Sequence, residues 1–188
     1  MIRCPDVGPI EGDGIGATAY YNIVKHSAVT STQLRNIVAP ANGNPDVGSV
    51  KRNADRDQVG NLYGTTYAGG TYDAGIAFQL TPNSDGTWTE NVLHSFQYRD
   101  GNTPAASLTP DRSGNLYGTT IYGGSKNWGV VFKLSPNSGG WQETVLHNFL
   151  DHPGARPTAN VTFAPDGNLR GTTSGSIRNV GNVFEVVP

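Results

Sequence analysis

Gly-Asn-Leu-Tyr-Gly-Thr-Thr, at residues 60–66, is the stretch that decides the fold, because it recurs unchanged at residues 114–120. A third version with one change, Gly-Asn-Leu-Arg-Gly-Thr-Thr, occupies residues 167–173. The successive copies begin 54 and 53 residues apart. A heptapeptide that returns at a nearly constant interval indicates a tandem repeat, and a period near 50 residues is typical of propeller blades and solenoid units.

Each copy carries a set of predicted strands, since apolar and polar residues alternate in runs bounded by Gly, Pro, Asn and Asp. In the second copy these strands are residues 105–109, 115–121, 130–135 and 141–149. The first copy repeats the last three at residues 61–67, 76–80 and 88–96, and the third copy has strands at residues 160–163, 169–173 and 183–187.

The first 59 residues are interpreted as a degenerate copy with a charged insertion at residues 46–58. Residues 34–38 align with residues 146–150, and residues 19–24 can stand for a third strand. A helix over residues 17–25 is the alternative for this stretch. The predicted organisation is one structural domain made of residues 1–59, a first repeat at 60–113, a second at 114–166 and a partial one at 167–188.

These patterns predict an all-β fold of four-stranded antiparallel repeats, β-propeller-like and either partial or open. A β-solenoid is the alternative. The repeats supply only about three blades, whereas closed propellers typically have four to eight. We therefore expect either an open arc with exposed edges, self-association through those edges, or a chain that is part of a longer protein.

Composition narrows the function classes. The 188 residues carry a net charge of −2, with 15% charged residues, so no basic stripe is available to neutralise a nucleic-acid backbone. The single cysteine, Cys4, cannot form an internal disulfide. The sequence contains no run of about 18 apolar residues, which a membrane span would need. The first residues also lack the apolar run of a signal peptide. Nucleic-acid binding and a membrane span are not expected.

The repeat resembles a known family. The heptapeptide, followed by Gly-Val-Val-Phe-Lys-Leu at residues 129–134 and Glu-Thr-Val-Leu-His-Asn-Phe at residues 143–149, is similar to the GloVer tandem repeat of bacterial choice-of-anchor proteins. The resemblance covers residues 60–188 well and the first 50 residues poorly. It implies secreted or surface-attached proteins, often with an export signal and a C-terminal anchor, and it brings no catalytic residues with it.

Residues present in every copy are interpreted first as structural. The glycines inside the predicted strands, Gly64, Gly118 and Gly171, predict a bulge or a close approach of the backbone. Trp88 and Trp141 share one repeat position and are predicted to pack between repeats.

His94 and His147 also share a repeat position, but they lie on outer strands and are not expected to form a metal pair. No metal-ligand motif or phosphate-binding motif is present, so no metal and no cofactor are predicted.

Function is expected in the loops, which differ among copies while the strands agree. The loops after the second and fourth strands should emerge on one face. Their candidate binding residues are Tyr72, Asp73, Arg99, Asp100, Lys126, Trp128, Asp151, His152, Arg156 and Arg178.

Three hypotheses remain open. The chain is a non-catalytic module that binds glycan or protein at a surface, a propeller-based polysaccharide lyase or hydrolase, or a structural spacer or fragment. An enzyme would need a convergent acid/base pair, for which Asp73, Asp100, Asp151 and His152 are the candidates. No catalytic residue is assigned.

Overall fold

The structure, a computed structural model, describes residues 60–151, 154–175 and 180–188. These residues form eleven strands, and no helix occurs among them. The predicted N-terminal strands, the alternative helix at residues 17–25 and the charged insertion lie outside the described residues.

Eleven strands make three antiparallel sheets, none of which closes on itself. The first sheet contains β1 (Leu62–Thr65), β2 (Ile76–Pro82) and β3 (Trp88–Ser95). The second contains β4 (Asn102–Pro104), β5 (Thr109–Pro110), β6 (Leu116–Tyr122), β7 (Val130–Asn137) and β8 (Gly140–Asn148). The third contains β9 (Thr162–Phe163), β10 (Leu169–Thr172) and β11 (Val183–Val186). The all-β prediction is confirmed for this part of the chain.

The prediction of one continuous first strand at residues 105–109 is wrong. Two short strands, β4 and β5, pair with β6, and the buried residues 105–108 between them leave the sheet. The Ala106 carbonyl accepts a hydrogen bond from Thr65 Oγ1 of the first sheet, and the Ser107 amide donates to Asn160 Oδ1 near the third. The backbone of residues 105–108 does not pair with β6 because it forms hydrogen bonds to Thr65 on one side and to Asn160 on the other.

The glycines inside the repeated phrase make room for an aromatic ring. Gly64, Gly118 and Gly171 lie directly opposite Phe78, Phe132 and Phe184 on the paired strand. A Cβ atom at these three positions would lie 2.7, 2.5 and 2.4 Å from the Cζ atom of the facing phenylalanine. The predicted close approach is therefore made by a cross-strand side chain, and it recurs in all three sheets.

The arginine of the third phrase preserves a contact that tyrosine makes in the second. Tyr117 donates a hydrogen bond through its hydroxyl to Asp111 Oδ2 at 3.1 Å. At the same repeat position Arg170 donates from Nη2 to Asp166 Oδ2 at 2.8 Å. Both acids close the turn before the strand, so this residue is held by local structure in the second and third copies.

Adjacent sheets pack through two hydrophobic cores that repeat each other. The first core joins the first and second sheets and includes Phe96 and Phe132, whose ring centroids lie 5.0 Å apart. The second core joins the second and third sheets, where Phe149 and Phe184 meet at 4.9 Å. Because β7 sends alternate residues into the two cores, its first three residues are all buried.

Trp141 packs against the first core and meets Tyr63 of the first sheet edge to face, with ring centroids 6.4 Å apart. The predicted packing of this tryptophan between repeats is confirmed.

Candidate functional site

The loops after β1 and β6 meet the loops after β3 and β8 at one end of the sheets, here called the loop end. The Gly124 amide donates a hydrogen bond to the Tyr98 carbonyl at 2.8 Å, which joins the loop after β6 to the loop after β3. The Arg156 amide donates to the Trp128 carbonyl at 2.9 Å, which joins the loop after β8 to the loop after β6. These bonds make the loop end a continuous surface across repeats.

The loops after β1 and β6 share one backbone conformation. The Gly75 amide donates to the Gly69 carbonyl at 3.0 Å, and the Gly129 amide donates to the Gly123 carbonyl at 3.1 Å. All four glycines have positive φ angles, which glycine adopts without steric cost. The loops differ in side chains and not in path.

Asp73 and Asn127 close these two loops from equivalent positions. Asp73 Oδ1 accepts the Gly69 amide at 2.9 Å, and Asn127 Oδ1 accepts the Gly123 amide at 2.8 Å. Both residues have positive φ angles, 53° for Asp73 and 59° for Asn127. Asp and Asn tolerate this left-handed conformation better than most residues. Asp73, a predicted binding residue, therefore holds the loop's shape.

The residue just before each of these two is exposed and differs between the copies. Tyr72 is 52% exposed in the first loop, and Lys126 is exposed in the second. Arg178 holds the same repeat position in the third copy, but it lies outside the described residues, as does His152. One predicted position thus presents a tyrosine and a lysine on identical backbones.

The loop after β3 adds two exposed residues to the loop end. Tyr98 is 51% exposed and has a φ of 61°, while its neighbour Arg99 is also exposed. Tyr67, at the start of the loop after β1, is 46% exposed. Asp151, in the loop after β8, is partly buried. Tyr67 and Tyr98 were not among the predicted binding residues: Tyr98 belongs to a predicted loop, whereas Tyr67 was the last residue of a predicted strand, and β1 ends earlier, at Thr65.

Arg156 and Trp128 are brought together, but they stack on each other. The Arg156 guanidinium lies 5.1 Å from the Trp128 ring centroid and 5.4 Å from that of Tyr122. Trp128 also packs against the second core. Such cation–π contacts are worth about 0.5–2 kcal/mol, so both predicted binding residues have a clear structural task.

Asp100 belongs to a different arrangement, a cluster of three titratable side chains beneath the loop end. It comprises His94 on β3, Asp100 in the following loop and Glu143 on β8, with no two of their ligand atoms more than 4.8 Å apart. His94 Nε2 lies 3.2 Å from Asp100 Oδ2. His94 is 19% and Asp100 12% exposed, so the cluster is sheltered but reachable from solvent.

Each of the first two side chains is held in place. The His94 ring packs edge to face on Phe96, with centroids 4.8 Å apart. Asp100 Oδ1 accepts the Gln97 amide at 2.9 Å. Burial by itself would raise the pKa of Asp100, but the hydrogen bonds from His94 and from the Gln97 amide outweigh it and lower that pKa below its usual value.

Glu143 is the unusual member of the cluster. It lies between Trp141 and Val145 on the same face of β8, and both of these neighbours pack against the first core. Burial, reinforced by the negative charge of Asp100 and opposed by His94, raises the pKa of Glu143 to about 7. Its Oε1 atom is shielded from solvent and has no hydrogen-bond partner within the described part of the chain.

The described residues of the second interface between sheets do not repeat this cluster. His147 occupies the repeat position of His94 and packs on Phe149 in the same way, at 4.8 Å. The position equivalent to Asp100, however, is Pro153 in the sequence. Among the residues that the structure describes, the grouping of a histidine with two carboxyl groups therefore occurs at the first interface alone.

Sequence reasoning missed this cluster because its members come from two repeats. The repeat pattern pairs His94 with His147, whereas the actual neighbour of His94 is Asp100, six residues later. A signal does exist: Glu143 stands in a row of otherwise apolar inward-facing residues, where a carboxyl group needs a partner.

No helix in the described ranges is long and apolar enough to cross a membrane. The chain matches the family described as the Gloeobacter/Verrucomicrobia repeat over residues 16–188. It therefore belongs to that repeat family, as the resemblance indicated. Comparison with curated proteins and with solved structures finds no match.

Proposed function

We propose that this chain is a non-catalytic binding module whose loop end contacts glycan outside the cell, carried on sheets arranged as an open, propeller-like series. Membership in a tandem-repeat family is consistent with a module of this kind. The propeller-like series is supported by the way successive sheets pack face to face through equivalent phenylalanine pairs.

One observation carries the binding proposal. The loops after β1 and β6 have the same hydrogen-bonded backbone, yet they present Tyr72 and Lys126 at equivalent exposed positions. A scaffold that keeps the loop path constant and varies the solvent-facing side chain is suited to recognition.

Glycan is the favoured ligand class because the exposed large residues of the loop end include three tyrosines, Tyr67, Tyr72 and Tyr98. A tyrosine ring offers an apolar face and a hydroxyl group, which match the C–H faces and hydroxyl groups of a sugar ring. Tyrosine also costs little conformational entropy on binding. A protein ligand is the competing outcome.

The test is a glycan and protein array probed with the labelled chain and with Tyr72→Ala and Tyr98→Ala. A hot-spot residue of an interface costs about 2 kcal/mol or more when truncated, which is roughly a 30-fold loss of affinity. We expect glycan binding that weakens by about this factor in each variant. Trp128→Ala is unsuitable as a probe, because Trp128 packs against the second core.

Thr144→Ala is the matched control, since Thr144 is exposed in the middle of β8 away from the loops. It should bind like the parent chain. Binding to proteins alone would replace the ligand class, and glycan binding that survives both tyrosine substitutions would refute the assignment to the loop end. An absence of binding on both arrays would favour the structural-spacer hypothesis.

A further inference from the structure

We infer that His94, Asp100 and Glu143 form a binding site for a divalent transition-metal ion of the zinc type at the interface between the first and second sheets. One imidazole nitrogen and two carboxylate oxygens lie within 4.8 Å of one another. This inference departs from the expectation of no metal, which was based on motifs within one repeat, because these three ligands come from two repeats.

The distances suit a small ion. Ligand nitrogen and oxygen atoms lie about 2.0–2.2 Å from zinc, so two of them at tetrahedral positions are roughly 3.3–3.5 Å apart. His94 Nε2 and Asp100 Oδ2 are already 3.2 Å apart. Glu143 carries its carboxyl group on a flexible side chain, so its oxygen can complete the set by rotation while the backbone of β8 stays in place.

The buried oxygen of Glu143 supplies an independent indication. Its Oε1 atom is shielded from solvent and lacks a hydrogen-bond partner in the described residues, and it lies in a row with Trp141 and Val145. Buried carboxylates are normally paired with a cation or coordinate a metal. A divalent ion between Glu143 and Asp100 would satisfy this oxygen and offset the charges of both carboxylates.

The ligand types favour a transition metal over calcium or magnesium. Imidazole suits zinc, copper, iron and nickel, whereas Ca²⁺ and Mg²⁺ prefer oxygen ligands alone. Three protein ligands would leave one tetrahedral position for water or for a ligand oxygen. Asp100 follows directly after the exposed residues Tyr98 and Arg99, so the ion would lie directly beneath the loop end.

The experiment is calorimetric titration of the untagged, chelator-treated chain with Zn²⁺ and with Co²⁺. We expect one ion per chain, with cobalt giving the intense visible bands of a low-symmetry, four- or five-coordinate site. His94→Ala and Glu143→Gln should each weaken binding by at least the 10–100-fold that even an outer-shell partner typically contributes. Circular dichroism of both variants checks that the sheets remain folded.

Two control variants make the result specific. His147→Ala removes the histidine at the equivalent repeat position, and Cys4→Ser removes the only thiol; both should bind one ion with the affinity of the parent chain. The inference is overturned if the parent chain binds neither ion, if folded His94→Ala and Glu143→Gln bind as the parent does, or if His147→Ala or Cys4→Ser abolishes binding.

Discussion

Substitution of Gly118 by alanine tests why the repeated phrase has its glycine. The new Cβ would lie 2.5 Å from Phe132 Cζ, 2.9 Å from Phe132 Cε1 and 3.1 Å from Leu108 Cδ2. Carbon atoms pack best at about 3.5–4.0 Å, so the ring must move by roughly 1 Å. Phe132 is fully buried and also contacts Phe96, which leaves the ring no free space on that side.

The magnitude follows from two opposing effects. Inserting a methyl group into a packed core costs about 1–3 kcal/mol. Replacing glycine by alanine inside a strand returns about 0.5–1 kcal/mol of backbone entropy and propensity. The free energy of unfolding should therefore fall by about 1–2 kcal/mol, which corresponds to a decrease in Tm of roughly 2–8 °C for a chain of this length.

The assay is chemical and thermal unfolding followed by circular dichroism, with Gly139→Ala as the matched control. Gly139 lies in the turn between β7 and β8, and a Cβ there would meet only Asn137 Oδ1 at 3.5 Å. The control should change the free energy of unfolding by less than about 0.5 kcal/mol.

A double variant separates steric overlap from other causes. Phe132→Leu shortens the side chain facing Gly118, so the added methyl group of Gly118→Ala should fit better beside leucine. The double variant is then expected to lose at least about 0.5–1 kcal/mol less than the sum of the single losses. An unchanged or increased stability of Gly118→Ala, or additive losses in the double variant, would refute the explanation.

Two further predictions concern contacts of the repeated framework. Burial, with the charge of Asp111 and the hydrogen bond to it, raises the pKa of Tyr117 to about 12. In the unfolded chain this tyrosine ionises near pH 10. The stabilisation that neutral Tyr117 gives the folded chain is therefore full below pH 10 and is lost as pH rises toward 12. In an ultraviolet titration, the parent chain should show one tyrosine ionisation near pH 12 that is missing from Tyr117→Phe. If the ionisation missing from the variant lies near pH 10, the assignment is contradicted. Thr119→Val removes the hydrogen bond from Thr119 Oγ1 to the Ala159 carbonyl and should cost about 1–3 kcal/mol in urea unfolding. Exposed Thr144→Val should change stability little, and equal losses in the two variants would rule out a special role for the bond from Thr119 to Ala159.

The second and third strands of all three copies, and the fourth strand of the first two, could be predicted from sequence because their residues alternate in runs bounded by turn formers. The third strand of the second copy begins at Val130, as expected, and ends two residues beyond the prediction. The first strand of the second copy could not be predicted, since hydrogen bonds from Thr65 and to Asn160 draw residues 105–108 out of the sheet. Those partners are 41 and 53 residues away in sequence, so no local pattern reveals them.

Sequence could place the loops that carry the predicted binding residues only approximately, since β1 ends at Thr65 and the predicted strand extends to residue 67. The union of these loops at one end follows from hairpin geometry. Nothing in the sequence alone showed that Asp73 would close its own loop, or that Arg156 would stack on Trp128. The cluster of His94, Asp100 and Glu143 depends on how two sheets face each other, which no pattern within one repeat contains.

If the repeated residues are framework, ligand binding should change the loop end and leave the strands as they are. Hydrogen–deuterium exchange of the chain, free and saturated with the best glycan from the array, tests it most directly. We expect added protection in peptides covering residues 67–75 and 97–101, with the strand peptides 114–120 and 130–137 unchanged. Protection confined to those strand peptides, with the loops unaltered, would contradict it.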